Sequence, residues 1–169
     1  SAETVMTYSA LMSPGDIGGL RFRNRILMTP MGTNLAQADG HCGERIQAYY
    51  EARAAGGAGG VIVGVAAIAW PDGACNPNQV AISDDAFLPG LSALASRVKQ
   101  HGCRAAIQLQ HAGKVAVCDI AAGRPMLVPS LPKSMPDEMM AALTPEEMAG
   151  FVKSYTSEGA KIEYKVADK

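Results

Sequence analysis

The chain has 169 residues, 48% of them hydrophobic, which is enough to bury the core of one domain. Its net charge of -1 and the lack of any Lys/Arg cluster remove the electrostatic case for a nucleic-acid or anionic-membrane partner, leaving a small molecule as the expected substrate. The apolar run 60–69 is too short to span a bilayer and residues 1–15 lack a signal-peptide pattern, so a soluble, cytoplasmic protein with no membrane partner is expected.

Residues 16–23, Asp-Ile-Gly-Gly-Leu-Arg-Phe-Arg, set Gly18-Gly19 between two short alternating segments, the pattern of a β-hairpin. Arg25 to Thr29 is a short apolar run closed by Pro30, as expected of a strand buried on both faces. A loop of small and polar residues runs from Gly32 to Gly43. Ile46, Tyr49, Tyr50 and Ala54 then share one face of a helix that starts at Glu44 and ends at Gly56-Gly57. Gly60 to Val65 is the second strand, followed by a loop through Trp70-Pro71-Asp72-Gly73 to about Asp84. Phe87, Leu91, Leu94, Ala95 and Val98 mark a second helix closed by His101-Gly102, and Arg104 to Leu109 a third strand. Alternating strands and helices imply a parallel α/β arrangement, barrel or open sheet. After Gln110-His111-Ala112-Gly113, four prolines (Pro125, Pro129, Pro132 and Pro136) predict an irregular excursion. Thr144-Pro145-Glu146-Glu147 carries the marks of a helix start, and Lys161 to Val166 alternates like an exposed hairpin strand. Cys42, Cys75, Cys103 and Cys118 form no C-x-x-C pair, so the sequence predicts reduced thiols and no metal site.

Several of these segments together carry a resemblance. Ile17-Gly18-Gly19-Leu20, Arg23-Asn24-Arg25-Ile26, Met28-Thr29-Pro30-Met31, Asp39-Gly40, Tyr49-Tyr50-Glu51-Ala52-Arg53-Ala54 with Gly56-Gly57, and Gln108-Leu109-Gln110-His111-Ala112-Gly113 recur here in a characteristic order and spacing. Over roughly residues 11–147 the chain thereby resembles the old yellow enzyme and 2,4-dienoyl-CoA reductase family of NADH:flavin oxidoreductases. Met31 to Ala36 and the hairpin-like tail look more like the dienoyl-CoA reductase branch. The resemblance implies an α/β fold, a (β/α)8 TIM barrel that binds FMN at the C-terminal ends of its strands. Eight units take about 250 residues, so a partial barrel is expected, with the chain ending before closure. On this reading residues 16–23 form a hairpin cap under the barrel, 25–111 three βα units, and 112–169 a loop, helix and hairpin excursion. The chain is then a fragment or proteolytic product.

By the same resemblance, Pro30, Met31 and Gly32 pack on the flavin ring, Gly64 and Val65 lie against its edge, and Gln108 hydrogen-bonds its pyrimidine through both ends of its amide. Relatives often carry threonine or cysteine at the place of Gly32, which implies a different flavin potential here, and some carry an active-site tyrosine where this chain has Asn34. The usual proton donor lies beyond the chain. His111 is a candidate for facing substrate or for a structural hydrogen bond, and Lys114 stands where relatives show arginine. His41 and His101 read as surface residues, and Trp70 as turn packing or a substrate contact. The implied activity is reduction of a C=C bond conjugated to a carbonyl or thioester (an enone or enoyl thioester), with NAD(P)H as reductant. Two alternatives stand beside it: FMN-dependent dehydrogenation, desaturation or demethylation, and a non-catalytic half-barrel that associates with an oligomeric copy or a complementing chain. Larger relatives add a 4Fe-4S cluster and FAD beyond the barrel.

Overall fold

Why the chain turns back at residue 18 is plain from its glycines. In a computed structural model that describes residues 8–128, 140–142, 144–150 and 153, a short helix α1 (Ser9–Met12) leads into β1 (Gly15–Ile17) and β2 (Leu20–Phe22). The two strands pair antiparallel, with Ile17 opposite Leu20. Gly18 and Gly19 between them have φ of 55° and 82°, the left-handed geometry that a two-residue hairpin loop demands.

A three-stranded parallel sheet follows in the order β3 (Leu27–Met28), β4 (Gly60–Ala67), β5 (Arg104–Gln110). Helices α2 (Glu44–Ala55) and α3 (Leu88–Lys99) make the two crossovers. Ile46, Tyr50 and Ala54 of α2 and Leu94 and Val98 of α3 enter one core with Val61 and Val63 of β4, and Met28, Ala105 and Ile107 pack against it. Both helices therefore cover the same face of a sheet whose strands follow chain order. That is single winding, as in a barrel, whereas a doubly wound sheet puts helices on both faces.

The other face is open. Along β5, Ala105, Ile107 and Leu109 turn to the helices while Arg104, Ala106 and Gln108 are exposed, as the two-residue period of a strand requires. The first strand departs from expectation in length and burial. Its ladder is two residues rather than five, and Leu27 is 40% exposed rather than buried.

The hairpin docks at the N-terminal ends of the strands, where Arg104 Nε donates to Arg21 O at 2.8 Å. A methyl on Gly60 would sit 2.8 Å from both Phe22 and Leu27, so a larger residue here would push those two side chains aside. Arg23 closes the same end. Its guanidinium donates to Ala54 O, Ala58 O and His101 O, satisfying carbonyls at and beyond the C-termini of both helices. Buried Asn24 bonds Gly57 O at 2.7 Å and accepts from Ile26 N at 3.1 Å.

The proline-rich stretch is not wholly irregular. After a turn at Gly113–Val115 and α4 (Val117–Ala121), β6 (Met126–Val128) pairs in parallel with β7 (Met140–Ala142). Pro125 and Pro129 bound the first of these strands, so its three residues keep the N–H groups that pairing needs. Residues 145–150 are helical behind a reciprocal cap in which Glu147 N donates to Thr144 Oγ1 at 3.2 Å and Thr144 N to Glu147 Oε2 at 2.7 Å. The alternating tail from Lys161 lies outside the described residues.

Candidate functional site

The three strands end in loops on the side away from the hairpin, and there two stretches of backbone come into close contact. Gly32 forms an isolated parallel bridge with Gly64. A methyl on Gly64 would lie 2.6 Å from Pro30 Cβ and 2.7 Å from Met31 N, so the chain leaving β3 and the middle of β4 touch only because residue 64 lacks a side chain. Across the sheet, Val63 pairs with Ile107 and Ala66 with Leu109. Two residues of β4, Gly64 and Val65, therefore stand against one of β5, Gln108, as in a β-bulge. The six residues read from the sequence as cofactor-binding, Pro30, Met31, Gly32, Gly64, Val65 and Gln108, thus converge on one patch. Gln108 projects from it exposed, and its carboxamide has no hydrogen bond to a described residue.

Tyr50 holds the bulge from behind. Its side chain is fully buried, and its hydroxyl accepts from Gly64 N at 3.1 Å and donates to Gly64 O at 3.4 Å. Burial raises the phenol's pKa above its ordinary 10.0, so the hydroxyl keeps the proton it donates. In the sequence this residue shows as part of the apolar helix face and of the motif 49–54; nothing in either marks its hydroxyl.

The loop after β4 is pinned on two sides. Asn34, at φ 53°, accepts from Asn78 N at 2.8 Å, and Ala36 N donates to Asn78 O at 3.1 Å. Gln79, 3% exposed, accepts from Cys75 N at 2.9 Å and donates to Gln110 Oε1 at 3.1 Å. Position 34 is thus an anchor for a loop rather than a group facing the open side. Asn76 and Gln79 were not marked by the sequence, and Gln110 appeared only as a member of the motif 108–113, with no role of its own.

His111 lies in a different arrangement. A methyl on Gly73, at φ 68°, would overlap its ring, and its Nδ1 accepts from Gly113 N at 3.2 Å. Burial lowers its pKa below the ordinary 6.5, with Asp119 and Asp72 pulling the other way. Nearby, Asp119 is 1% exposed, accepts from Gly73 N at 2.9 Å and pairs with Arg124 at 2.9 Å, while Arg124 reaches Asp72 at 2.8 Å. The cluster ties the loops after β4 and β5 together, so a structural hydrogen bond is what His111 makes here. Lys114 is exposed in the turn that follows. Trp70 packs over Gly40, and His41 and His101 sit beside Asp39 and Glu51. Among the described residues no group of three or more His, Cys, Asp or Glu is placed to hold a metal, and no helix is long and apolar enough to cross a membrane.

Residues 10–162 match the family model described as the NADH:flavin oxidoreductase / NADH oxidase family. The chain belongs to that family. It is 39% identical over 120 residues to an NADH oxidase of Thermoanaerobacter brockii, covering 71% of this chain and 18% of the relative. Identity is 37% over 148 residues to a metal reductase of Desulforamulus reducens, covering 87% and 22%. The chain therefore spans about a fifth of the length of these curated relatives. Among solved structures, morphinone reductase in complex with tetrahydroNAD superposes with a TM-score of 0.79 at 26% identity, covering 92% of this chain and 46% of that one. The fold is also that of a 2-naphthoyl-CoA reductase complex, at a TM-score of 0.84, 20% identity, and coverage of 95% and 26%. These neighbours make the α/β piece part of an old yellow enzyme type fold, and the family is one of enzymes that use FMN with NADH or NADPH. The patch fits such a group. Gly32 and Gly64 offer backbone without side chains, and Gln108 offers a free acceptor and donor to a heteroaromatic ring.

Proposed function

We propose that the protein carrying this chain reduces carbon-carbon double bonds conjugated to a carbonyl or thioester, with NADH or NADPH as electron source and FMN seated on Pro30, Met31, Gly32, Gly64, Val65 and Gln108. The supporting observation is the bulge: it sets Gly64 and Val65 against Gln108 while the Gly32–Gly64 bridge brings in the end of the first strand. Once reduced by NADH or NADPH, FMN bound there would supply a hydride to the β-carbon of the activated alkene. The residues of this chain hold and orient it. The Gln108 carboxamide gives one acceptor and one donor to the pyrimidine edge, and the backbone of the Gly32–Gly64 bridge lies beside the ring. Tyr50 keeps the Gly64 peptide in place from the buried side. His111 has its Nδ1 engaged by Gly113 N and is given no proton-transfer role in this scheme; the proton for the α-carbon comes from outside the described residues.

The open face, with Leu27 at 40% and Met31 at 51% exposure, supports the reading that further barrel strands cover it, in the same protein or from a complementing chain. Purification of the protein carrying this chain tests the proposal. Expected are a yellow protein, a released cofactor with the mass of FMN, and NADH or NADPH oxidation on adding 2-cyclohexenone or an enoyl thioester. A protein that takes up no FMN refutes the site. A flavoprotein that turns over only amines or saturated substrates refutes the reductive reaction and leaves the site standing.

A further inference from the structure

Gly32 lacks a side chain, yet the space such a side chain would take is filled. A methyl built on Gly32 would lie 2.7 Å from Nδ2 of Asn76, a residue 44 positions further on. The Asn76 carboxamide therefore stands beside the Gly32–Gly64 bridge, where the chain leaving β3 meets the middle of β4. It does not drift there. Gln79 N donates to Asn76 O at 3.2 Å, Gln79 is held by Cys75 N and lies against Gln110, and the neighbouring Asn78 is held by Asn34 and Ala36. The carboxamide itself is poorly used by the protein. Its one bond to a described residue is from Nδ2 to Cys75 Sγ at 3.4 Å, a weak acceptor, which leaves the oxygen and the second N–H free. A half-buried amide on a doubly anchored loop, with spare hydrogen-bonding capacity and next to a bare backbone pair, is placed to serve a ligand.

We propose that Asn76 is a flavin-contacting residue whose carboxamide takes the place left by Gly32 and hydrogen-bonds the edge of the ring laid against the Gly32–Gly64 pair. This rests on the FMN site proposed above and adds a residue from a loop which that proposal leaves out. Donation by Nδ2 favours the more electron-rich reduced ring, so the amide raises the flavin's midpoint potential. It also makes positions 32 and 76 interchangeable carriers of one polar group, since a side chain at 32 and the amide of 76 compete for the same space.

The test is made on the protein carrying this chain, by titrating the apoprotein with FMN and measuring the midpoint potential of the loaded form, with melting temperature alongside. Asn76→Ala is expected to weaken FMN binding about fivefold, the equivalent of one ordinary hydrogen bond, and to move the potential to a more negative value. Gly32→Ala, which displaces the amide without removing it, reproduces both changes. Gly32→Ser combined with Asn76→Ala regains part of each, because a hydroxyl then occupies the vacated space. Unchanged affinity and potential in Asn76→Ala overturn the proposal, and so does a fall in melting temperature with flavin properties intact, or a loss that Gly32→Ser does not relieve. A wild-type protein that binds no FMN is a separate result, which removes the site itself.

Discussion

The hydroxyl of Tyr50 is a single atom on which the geometry of the patch depends, and Tyr50→Phe removes it while leaving the buried ring in place. Two bonds are lost, a good one from Gly64 N at 3.1 Å and a long one to Gly64 O at 3.4 Å. Both Gly64 groups lie in a buried residue, so the peptide N–H cannot turn to water. A buried donor left without a partner costs about 1–3 kcal/mol, and the long second bond adds little, so the expected destabilisation is about 2 kcal/mol. With a urea dependence of about 1–3 kcal/mol per molar, the unfolding midpoint should fall by roughly 1 M. FMN affinity should fall with it, because the Gly64 peptide loses its support. Tyr49→Phe is the control on the neighbouring ring. Among the described residues that hydroxyl has only a 3.9 Å contact with Met31 Sδ, and its ring keeps Arg53 stacked 3.5 Å from its centre in either form. A change within about 0.5 kcal/mol is expected there. Equal effects of the two substitutions, or a loss below about 0.5 kcal/mol for Tyr50→Phe, would refute the assignment of Tyr50 as the support of the bulge.

Other perturbations separate the site from its scaffold. Gly64→Ala puts a methyl against Pro30 and the Met31 backbone, which cannot yield without parting the two strands. A loss of about 1–3 kcal/mol in urea unfolding is expected, and failure to bind FMN alongside it. Gln108→Ala, at an exposed position with no described hydrogen bond, should leave the unfolding midpoint within about 0.5 kcal/mol of wild type while weakening FMN binding; a stability loss without an affinity change would make Gln108 a structural residue. Burial pushes the Cys42 thiol up to about 12 and also raises Cys103, and these two are 3% and 2% exposed. Alkylation of the folded protein followed by peptide mass mapping should therefore label the half-buried Cys75 and Cys118 before either. His111 has a folded pKa below its unfolded 6.5, so the folded state binds fewer protons there. Its contribution is intact above 6.5 and is lost as pH falls from there towards the folded value. Urea midpoints measured from neutral to mildly acidic pH should show that slope, and His111→Gln should flatten it.

What the sequence disclosed and what it hid divide along the distance between partners. The Gly18-Gly19 turn, the face of α2 and the Thr144–Glu147 cap arise between residues within about a turn or two of each other, and their patterns were legible without a structure. The residue pattern alone left barrel or open sheet undecided and the resemblance implied a barrel; the shared core of α2 and α3 puts both helices on one face. In the site, Pro30, Met31, Gly32, Gly64, Val65 and Gln108 were named from resemblance alone; the close fit of Gly64 to Pro30 and the two-against-one bulge supply a physical reason why those residue types stand there. The polar frame around them was invisible. Asn34 meets Asn78 across 44 residues and Gln79 meets Gln110 across 31, and single loop amides have no periodicity to betray a partner so far away. Even Gln47, buried on the apolar face of α2 with its amide on Cys42 O at 2.7 Å, breaks the pattern by which that face was found. Hydrophobic period finds the core because burial acts on many residues at once, whereas a site is set by a few polar groups whose pairing is fixed only when the loops meet.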